Sequence, residues 1–345
     1  MKKIKFFALV CSLVMIFSTV ANAAPFSDMP SDPASQLVIE NAVKNGILAG
    51  SDGMVRPNAF ITRAEMASII TRACGANVEG NISSFTDVPT DKWYYSAVAK
   101  AYNMGALSGS DGKMNPENYI TFQECFTVLS NVFDLIPNYV IIPAAPEGEL
   151  PVNTAIGIVN DRVRLYDLSA LAQFSDANDI AGWAKVYVAG VVEHGGWNGI
   201  DGKITPNQNI TRLQFATVMD NLFKTYIDTP GTYTSIPEGN VLVRCNGAVL
   251  KDIVTSDDIY IADGVSANGI TIDNVTTTGR LIIRGCATPT VDENGGVSWG
   301  DEGIIISGQF EEIRMIRPYI NLNMLGAKYG KIFGVRPTHY TAFVQ

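Results

Sequence analysis

Histidine is nearly absent from this chain: His194 and His339 are the only two in 345 residues. No serine or cysteine nucleophile pairs with either, so the sequence offers no nucleophile–base constellation. Cysteine is sparse as well, with 5 residues. Cys11 lies in the leading apolar run, while Cys74, Cys125, Cys245 and Cys286 form neither a CxxC pair nor a metal-ligand spacing. Cys74 and Cys125 read as core fillers, and a Cys245–Cys286 bridge is left open. No metal site and no cofactor are expected. Charged residues are few, 17% of the chain, and the balance is acidic at −9. An acidic chain is a poor match for nucleic acid, whose binding depends on neutralising phosphates. Nor can it adhere to an anionic wall by bulk attraction, so a hold on one requires local cationic sites.

Long apolar runs are missing too, apart from the first. MKKIKFFALVCSLVMIFSTVANA has a lysine-rich start, an apolar middle and a small-residue end at Ala21-Asn22-Ala23. It reads as a secretory signal peptide over residues 1–23, and its removal takes the charge from −9 to −12 by deleting Lys2, Lys3 and Lys5. No later stretch reaches the roughly 20 residues that a membrane-spanning helix needs. An exported, soluble chain is expected.

What the sequence does contain is repetition. Phe26-Ser27-Asp28, Phe85-Thr86-Asp87 and Phe174-Ser175-Asp176 open similar units. Each runs on to an Asp-Gly pair at Asp52, Asp111 or Asp201, and nine residues beyond the glycine stands a threonine, Thr62, Thr121 or Thr211. The first two copies are offset by 59 residues at every landmark (26 to 85, 52 to 111, 62 to 121). Such spacing is the mark of a repeat array. A first helix is expected in each copy, opened by Pro33 in the first and capped by Asp91 in the second. Gly46, Gly105 and Gly195-Gly196 are its stops. A second helix begins at the threonine. Its stripe is Met66, Ile69, Ile70, Ala73 and Cys74 in the first copy, with equivalents ending at Phe133 and Phe223. Three stripes can bury one another, which predicts a bundle with three-fold-like symmetry.

Within Ile-Thr-Arg-Ala-Glu, Thr62 and Glu65 form a capping box, as do Thr121 with Glu124 and Thr211 with Gln214. These six residues are accounted for by helix initiation. Arg63 and Arg212 are not, because a cation at the first helical position opposes the macrodipole. Two readings compete: a pair with one of the chain's own carboxylates, or an outside anion shared with free helix amides. Since the boxes start the helix without them, losing both arginines is expected to leave thermal unfolding nearly unchanged. The second copy has Phe122 instead. Trp93 and Trp183 read as core-packing residues at corresponding first-helix positions; Ala34 stands there in the first copy. Asp52, Asp111 and Asp201 read as turn formers. One acid per Asp-Gly loop is too few for a calcium loop.

Over residues 26–226 these landmarks resemble the S-layer homology family, three tandem modules of about 55–60 residues. The resemblance implies a secreted wall protein of a Gram-positive-type bacterium, held non-covalently by secondary cell-wall polysaccharide with pyruvylated N-acetylmannosamine. Its carboxylate would meet Arg63 and Arg212 in grooves between modules, and the groove of Phe122 would be weak, altered or silent. The resemblance also implies Trp93 and Trp183 as alternative stacking faces for a sugar, and Asp52, Asp111 and Asp201 as alternative acceptors for sugar hydroxyls.

The remaining chain is divided as follows: modules at 24–80, 81–135 and 173–228, an insert at 136–172, and a β part at 229–345. In the insert, IPNYVIIPAAPEGELP suggests an extended loop and AIGIVNDRVRLYD a hairpin turning at Asn160-Asp161. After Thr229, short runs such as VLVR, IYIA, ITIDNV, LIIRG and IRMI, punctuated by Gly, Asn and Asp, suggest a β-solenoid or else a small sandwich. GVSANGITIDNVTTTGRLIIRG resembles β-helical segments of such wall proteins. The fold class is therefore multidomain, an α-rich trimer of modules followed by a small all-β domain. The function expected is anchoring without catalysis. The alternatives are self-association into a surface lattice and, less favoured, an anchored carbohydrate-active enzyme. Asp257, Asp258, Asp263, Asp273 and Asp292 lie in turn-like spots and make no facing carboxylate pair.

Overall fold

A computed structural model describes residues 26–143, 154–159, 162–266, 268–285, 290–291, 297–298, 303–317, 320–324, 326–334 and 339–341. The signal-peptide reading, the Cys245–Cys286 bridge and the Asn160-Asp161 turn lie outside these residues.

Among the described residues there are six α-helices: α1 Pro33–Lys44, α2 Arg63–Ala73, α3 Tyr95–Asn103, α4 Phe122–Phe133, α5 Lys185–Glu193 and α6 Arg212–Leu222. The second helices α2, α4 and α6 all start with a complete capping box, as their sequences require. Their stripes are buried, with Met66, Ile70, Cys125, Leu129, Phe215 and Val218 at 0% exposure. The first helices are less regular. Asp32 caps α1 by accepting from the Ala34 and Ser35 amides. α3 starts only at Tyr95 with no side-chain cap, so Asp91 is not its cap and Trp93 precedes the helix. Gly46, Gly105 and Gly195 take positive φ of 67°, 70° and 72° and end the first helices as expected.

Packing is cyclic. α2 packs on α3, α4 on α5 and α6 on α1, so each second helix covers the first helix of the next unit and the third unit closes on the first. At the centre three isoleucines, all fully buried, exchange backbone hydrogen bonds in a ring. Ile120 N–H donates to Ile61 O (2.9 Å), Ile210 N–H to Ile120 O (3.1 Å) and Ile61 N–H to Ile210 O (3.1 Å).

The insert forms a three-stranded antiparallel sheet. Thr154–Val159 pairs with Arg162–Asp167 as the expected hairpin, and Tyr139–Ile142 adds to its edge. The segment read as an extended loop therefore contains a strand. The Arg164 guanidinium sits 4.5 Å over the Tyr139 ring and holds that edge down.

Beyond residue 224 the described strands join a large sheet in which every pairing is parallel, except Thr290–Val291 and Val297–Ser298, which pair antiparallel with each other alone. Two strands are longer than the sequence suggests: Ile270–Ile283 and Ile304–Met315 fuse runs that had read as separate. They stay continuous because register shifts at Ile272/Val275 and Thr277/Arg280 turn the chain without breaking the pairing. Alternation then divides the side chains. Val241, Ile259, Leu281 and Ile313 fill the sheet's own core. Leu242, Tyr260 and Ile282, in register across neighbouring strands, join the helical core instead. There Tyr260 meets Phe223 at 5.0 Å and Phe133 at 6.0 Å.

Arginines weld this seam. Arg284 donates to Met104 O (2.7 Å) and Asn131 O (3.1 Å), Arg317 to Asn103 O (2.8 Å), and Arg280 to Asp134 O (3.0 Å). These carbonyls lie at the C-terminal ends of α3 and α4, which lack intrahelical partners and carry the negative end of the dipole. Arg314 pairs with Asp134, the left-handed C-cap of α4. Asp263 anchors Arg284 (2.7 Å) and Arg317 (2.6 Å) from below. Burial pushes the Asp263 carboxyl up, but Arg284 and Arg317 outweigh it and hold it below its ordinary 3.8.

That sign sets a test. A depressed carboxyl stabilises the fold above its unfolded value and loses this as pH falls through its folded value. Asp263→Asn leaves Arg284 buried without its counter-charge, so it should destabilise the chain by about 3–5 kcal/mol at neutral pH. In thermal unfolding followed by circular dichroism, the gap from wild type should narrow as pH drops below about 4. A gap that does not change with pH would show the pair contributes no charge coupling.

Candidate functional site

The landmark Phe-Ser/Thr-Asp motifs build the loops that line the space between units. Asp28 accepts from the Val55 and Arg56 amides (2.8 and 2.7 Å), Asp87 from Met114 and Asn115 (2.9 and 2.7 Å), and Asp176 from Ile204 and Thr205 (both 2.8 Å). The clamped residues Arg56, Asn115 and Thr205 hold positive φ of 52°, 50° and 57°, a conformation that needs such support. The motif phenylalanines press on glycines: a Cβ at Gly50, Gly109 or Gly199 would lie 2.1, 2.4 or 2.6 Å from the ring of Phe26, Phe85 or Phe174. Repetition of Phe and Asp was visible in the sequence; the partners were not, because they lie about 25 residues away.

Each loop tip is a two-residue turn. Asp52-Gly53, Asp111-Gly112 and Asp201-Gly202 all have positive φ at both residues, closed by bridges Ser51–Met54, Ser110–Lys113 and Ile200–Lys203. This is the mirror-image turn that Asp-Gly favours, so all three aspartates are turn formers and exposed.

The helix starts differ from expectation. The amides of Arg63 and Ala64 donate to Asn118 O and Pro116 O (both 2.8 Å), those of Phe122 and Gln123 to Gln208 O and Pro206 O, and those of Arg212 and Leu213 to Ala59 O and Pro57 O. The third amide in each case goes to the capping threonine. No free amide cradle is left there for an anion. The arginines reach away from their own helices into the next unit's loop. Arg63 Nε donates to Met114 O and Nη2 to Ser108 O (both 2.9 Å). Arg212 Nε donates to Val55 O (2.8 Å) and Nη2 to Ala49 O (2.6 Å). Their main partners are carbonyls rather than the carboxylates of an internal ion pair; Arg63 Nη1 lies 4.0 Å from Glu124. Loss of either arginine would strand two carbonyls, which overturns the expectation of unchanged thermal unfolding. Burial lowers the pKa of both guanidiniums, against the pull of Glu124 and Asp87 on Arg63 and of Glu65 on Arg212.

Arg63 edges a groove of about 560 Å³ between the units, lined also by Ser108, Lys113, Tyr119, Glu124 and Trp183. Trp183 is 56% exposed and Trp93 is 66% exposed, so the core-packing reading fails for both. The groove takes its arginine from the first unit, its loop from the second and its tryptophan from the third. The cyclic packing makes Arg212, the first unit's loop and Trp93 the corresponding set at the next seam. Phe122, the third unit's loop and Ala34 make up the last set, so both departures from the pattern fall at one seam. There Phe122 packs on Trp197 with ring centroids 5.2 Å apart, an apolar closure in place of a guanidinium on carbonyls. Lys113 and Trp197 had not been singled out from the sequence, and the clamping aspartates only as landmarks of the repeat. Among the described residues no cluster of His, Cys, Asp and Glu could hold a metal, and no helix is long and apolar enough to cross a membrane.

The profile of the S-layer homology domain matches residues 25–67, 84–124 and 173–216. The chain is 29% identical over 236 residues to the surface-layer 125 kDa protein of Lysinibacillus sphaericus, covering 66% of this chain and 17% of that protein. It is 26% identical over 294 residues to the middle cell wall protein of Brevibacillus brevis, covering 78% of this chain and 27% of that one. With exoglucanase XynX of Acetivibrio thermocellus it shares 23% over 200 residues, 58% of this chain and 16% of the enzyme. The chain thus spans less than a third of these relatives. Together these matches mark a secreted cell-surface protein. Its three repeated units are S-layer homology domains and belong to that family.

Proposed function

We propose that the chain holds itself to the bacterial cell wall by binding a carboxylated secondary wall polysaccharide, of the pyruvylated N-acetylmannosamine type, in the grooves between modules. The observation that carries this is that the exposed Trp183 and the part-buried Arg63 line one groove. An exposed indole offers a flat apolar face to a sugar ring, and the guanidinium edge facing the groove offers donors to a carboxylate. The same pair recurs as Trp93 and Arg212. The groove of Phe122 and Ala34 lacks both parts and is read as silent. Asp52, Asp111 and Asp201 shape the loops in this reading.

The three helix pairs are read as one pseudo-three-fold body and the parallel stack as a short β-solenoid fixed to it. The leading apolar run is read as the export signal, and no reaction is assigned to the chain. Self-assembly into a surface lattice is the second reading, favoured by the surface-layer relatives.

Trp93→Ala with Trp183→Ala should abolish retention on isolated walls with thermal unfolding nearly unchanged, because both side chains are exposed. Sedimentation of the full chain with walls, before and after removal of pyruvyl ketals, reads this directly. Retention that survives both treatments would sink the anchoring reading. Arg63→Ala should lose retention and also about 1–3 kcal/mol of stability, from the stranded Met114 and Ser108 carbonyls. Titration with the ketal-bearing saccharide should saturate at two sites per chain. Three equal sites would show that the Phe122 groove is competent.

A further inference from the structure

The loop of the first unit gathers cations that the fold does not require. Three guanidiniums donate to alternate carbonyls of one short run: Arg72 Nη2 to Ile47 O (3.3 Å), Arg212 Nη2 to Ala49 O (2.6 Å) and Arg56 Nη1 to Ser51 O (3.4 Å). Arg56 Nη1 also reaches Ser51 Oγ at 2.7 Å. In the other units the position of Arg72 is held by Asn131 and Asn221, and that of Arg56 by Asn115 and Thr205. Those loops keep the same clamps and turns, so the extra charges are not needed to build them. Arg56 and Arg72 are exposed, unlike Arg212.

The three sit close enough to feel one another. Burial pushes Arg212 below its usual range, Glu65 opposes this, and Arg56 and Arg72 add to it. Two of the neighbouring carboxylates are held by amides, Asp28 by Val55 and Arg56 and Glu65 by Thr62, while the exposed Asp52 pairs with Arg56 itself at 3.4 Å, a contact that solvent screens. Gathering like charges costs energy that an outside anion would recover. The three guanidiniums sit on three different carbonyls, of Ile47, Ala49 and Ser51, so the cations are spread along the loop as a polymer would require rather than gathered on one small anion.

We infer that Arg56, Arg72 and Arg212 form a cationic ladder that engages two or more acidic substituents along one polysaccharide strand, whereas the Arg63 groove takes a single one. This rests on the groove reading above and names what distinguishes the two sites. The Arg63 groove pairs its guanidinium with Lys113 alone and has Asn131 and Asn115 where the ladder has arginine.

The test compares the full chain with Arg56→Gln/Arg72→Gln, using two probes: purified pyruvylated wall polysaccharide and the single pyruvyl-ketal N-acetylmannosamine. Calorimetry at low and high salt gives affinity and its salt dependence. The double variant should bind the polymer about tenfold more weakly at low salt, with a flatter salt dependence. Its affinity for the single saccharide should stay within about twofold. If the polymer affinity and salt response are unchanged while Trp93→Ala still weakens binding, the ladder is refuted and the groove reading stands. If wild type binds neither probe, the groove reading falls and the ladder with it. An equal loss for both probes would assign the arginines to one shared subsite and overturn the multi-point claim.

Discussion

The ring of backbone hydrogen bonds through Ile61, Ile120 and Ile210 is the constraint on which the helical body depends. A single unit cannot close it. Nor can a unit satisfy the opening amides of its second helix, since these donate to carbonyls of the next unit's loop. Orphan amides at a helix start cost free energy when buried, so helix initiation here is a property of the trimer of units rather than of each repeat. The grooves follow from the same arrangement. Because a loop from one unit must reach the helix start of another, every space between units is walled by three chain segments distant in sequence.

Arginine does the joining at both poles of this body, in a chain whose overall charge is acidic. At one pole Arg63 and Arg212 pin the loops through carbonyls. At the other, Arg280, Arg284 and Arg317 cap the C-terminal ends of α3 and α4 from the parallel sheet. The two roles differ electrostatically. Cations at helix C-termini complement the dipole, whereas those at helix starts oppose it and are tolerated because their guanidiniums extend to a different partner. The sheet is thereby a structural continuation of the helical body: Tyr260 and Ile282 share its core, and Asp263 completes its charge balance.

Much of the helical body was legible because its signals are local. Capping boxes need residues three apart, and the stripes recur every three or four positions, so both are readable from short windows. Long-range partners were not. The Asp28, Asp87 and Asp176 clamps and the arginine–carbonyl contacts join residues tens of positions apart, and carbonyls leave no trace in residue identity. Asp91 misled because an acid near a helix start is a common cap, yet α3 begins four residues later at Tyr95. The tryptophans misled because apolar size suggests burial, while their place ahead of the first helices leaves them in solvent. In the sheet, runs read as separate strands were continuous, because bends inside a parallel stack need no turn sequence.

Carbonyl-bound arginines at first sight count against a role in binding, since their forks are already in use. The geometry argues otherwise. A guanidinium has five N–H donors, and Arg63 commits only Nε and Nη2 to the loop, which leaves the Nη1 edge toward Glu124 and the groove. Two carbonyls fix the plane without neutralising the charge, so the free edge is held in one orientation before any ligand arrives. Such preorganisation lowers the ordering cost of association. If an acidic chain recognises an acidic polymer, as proposed, it cannot rely on long-range attraction, and a few arginines locked in place by its own backbone supply what net charge cannot. On the proposed reading, stability of the loops and affinity for the wall are therefore two uses of the same side chains, and neither can be removed without cost to the other.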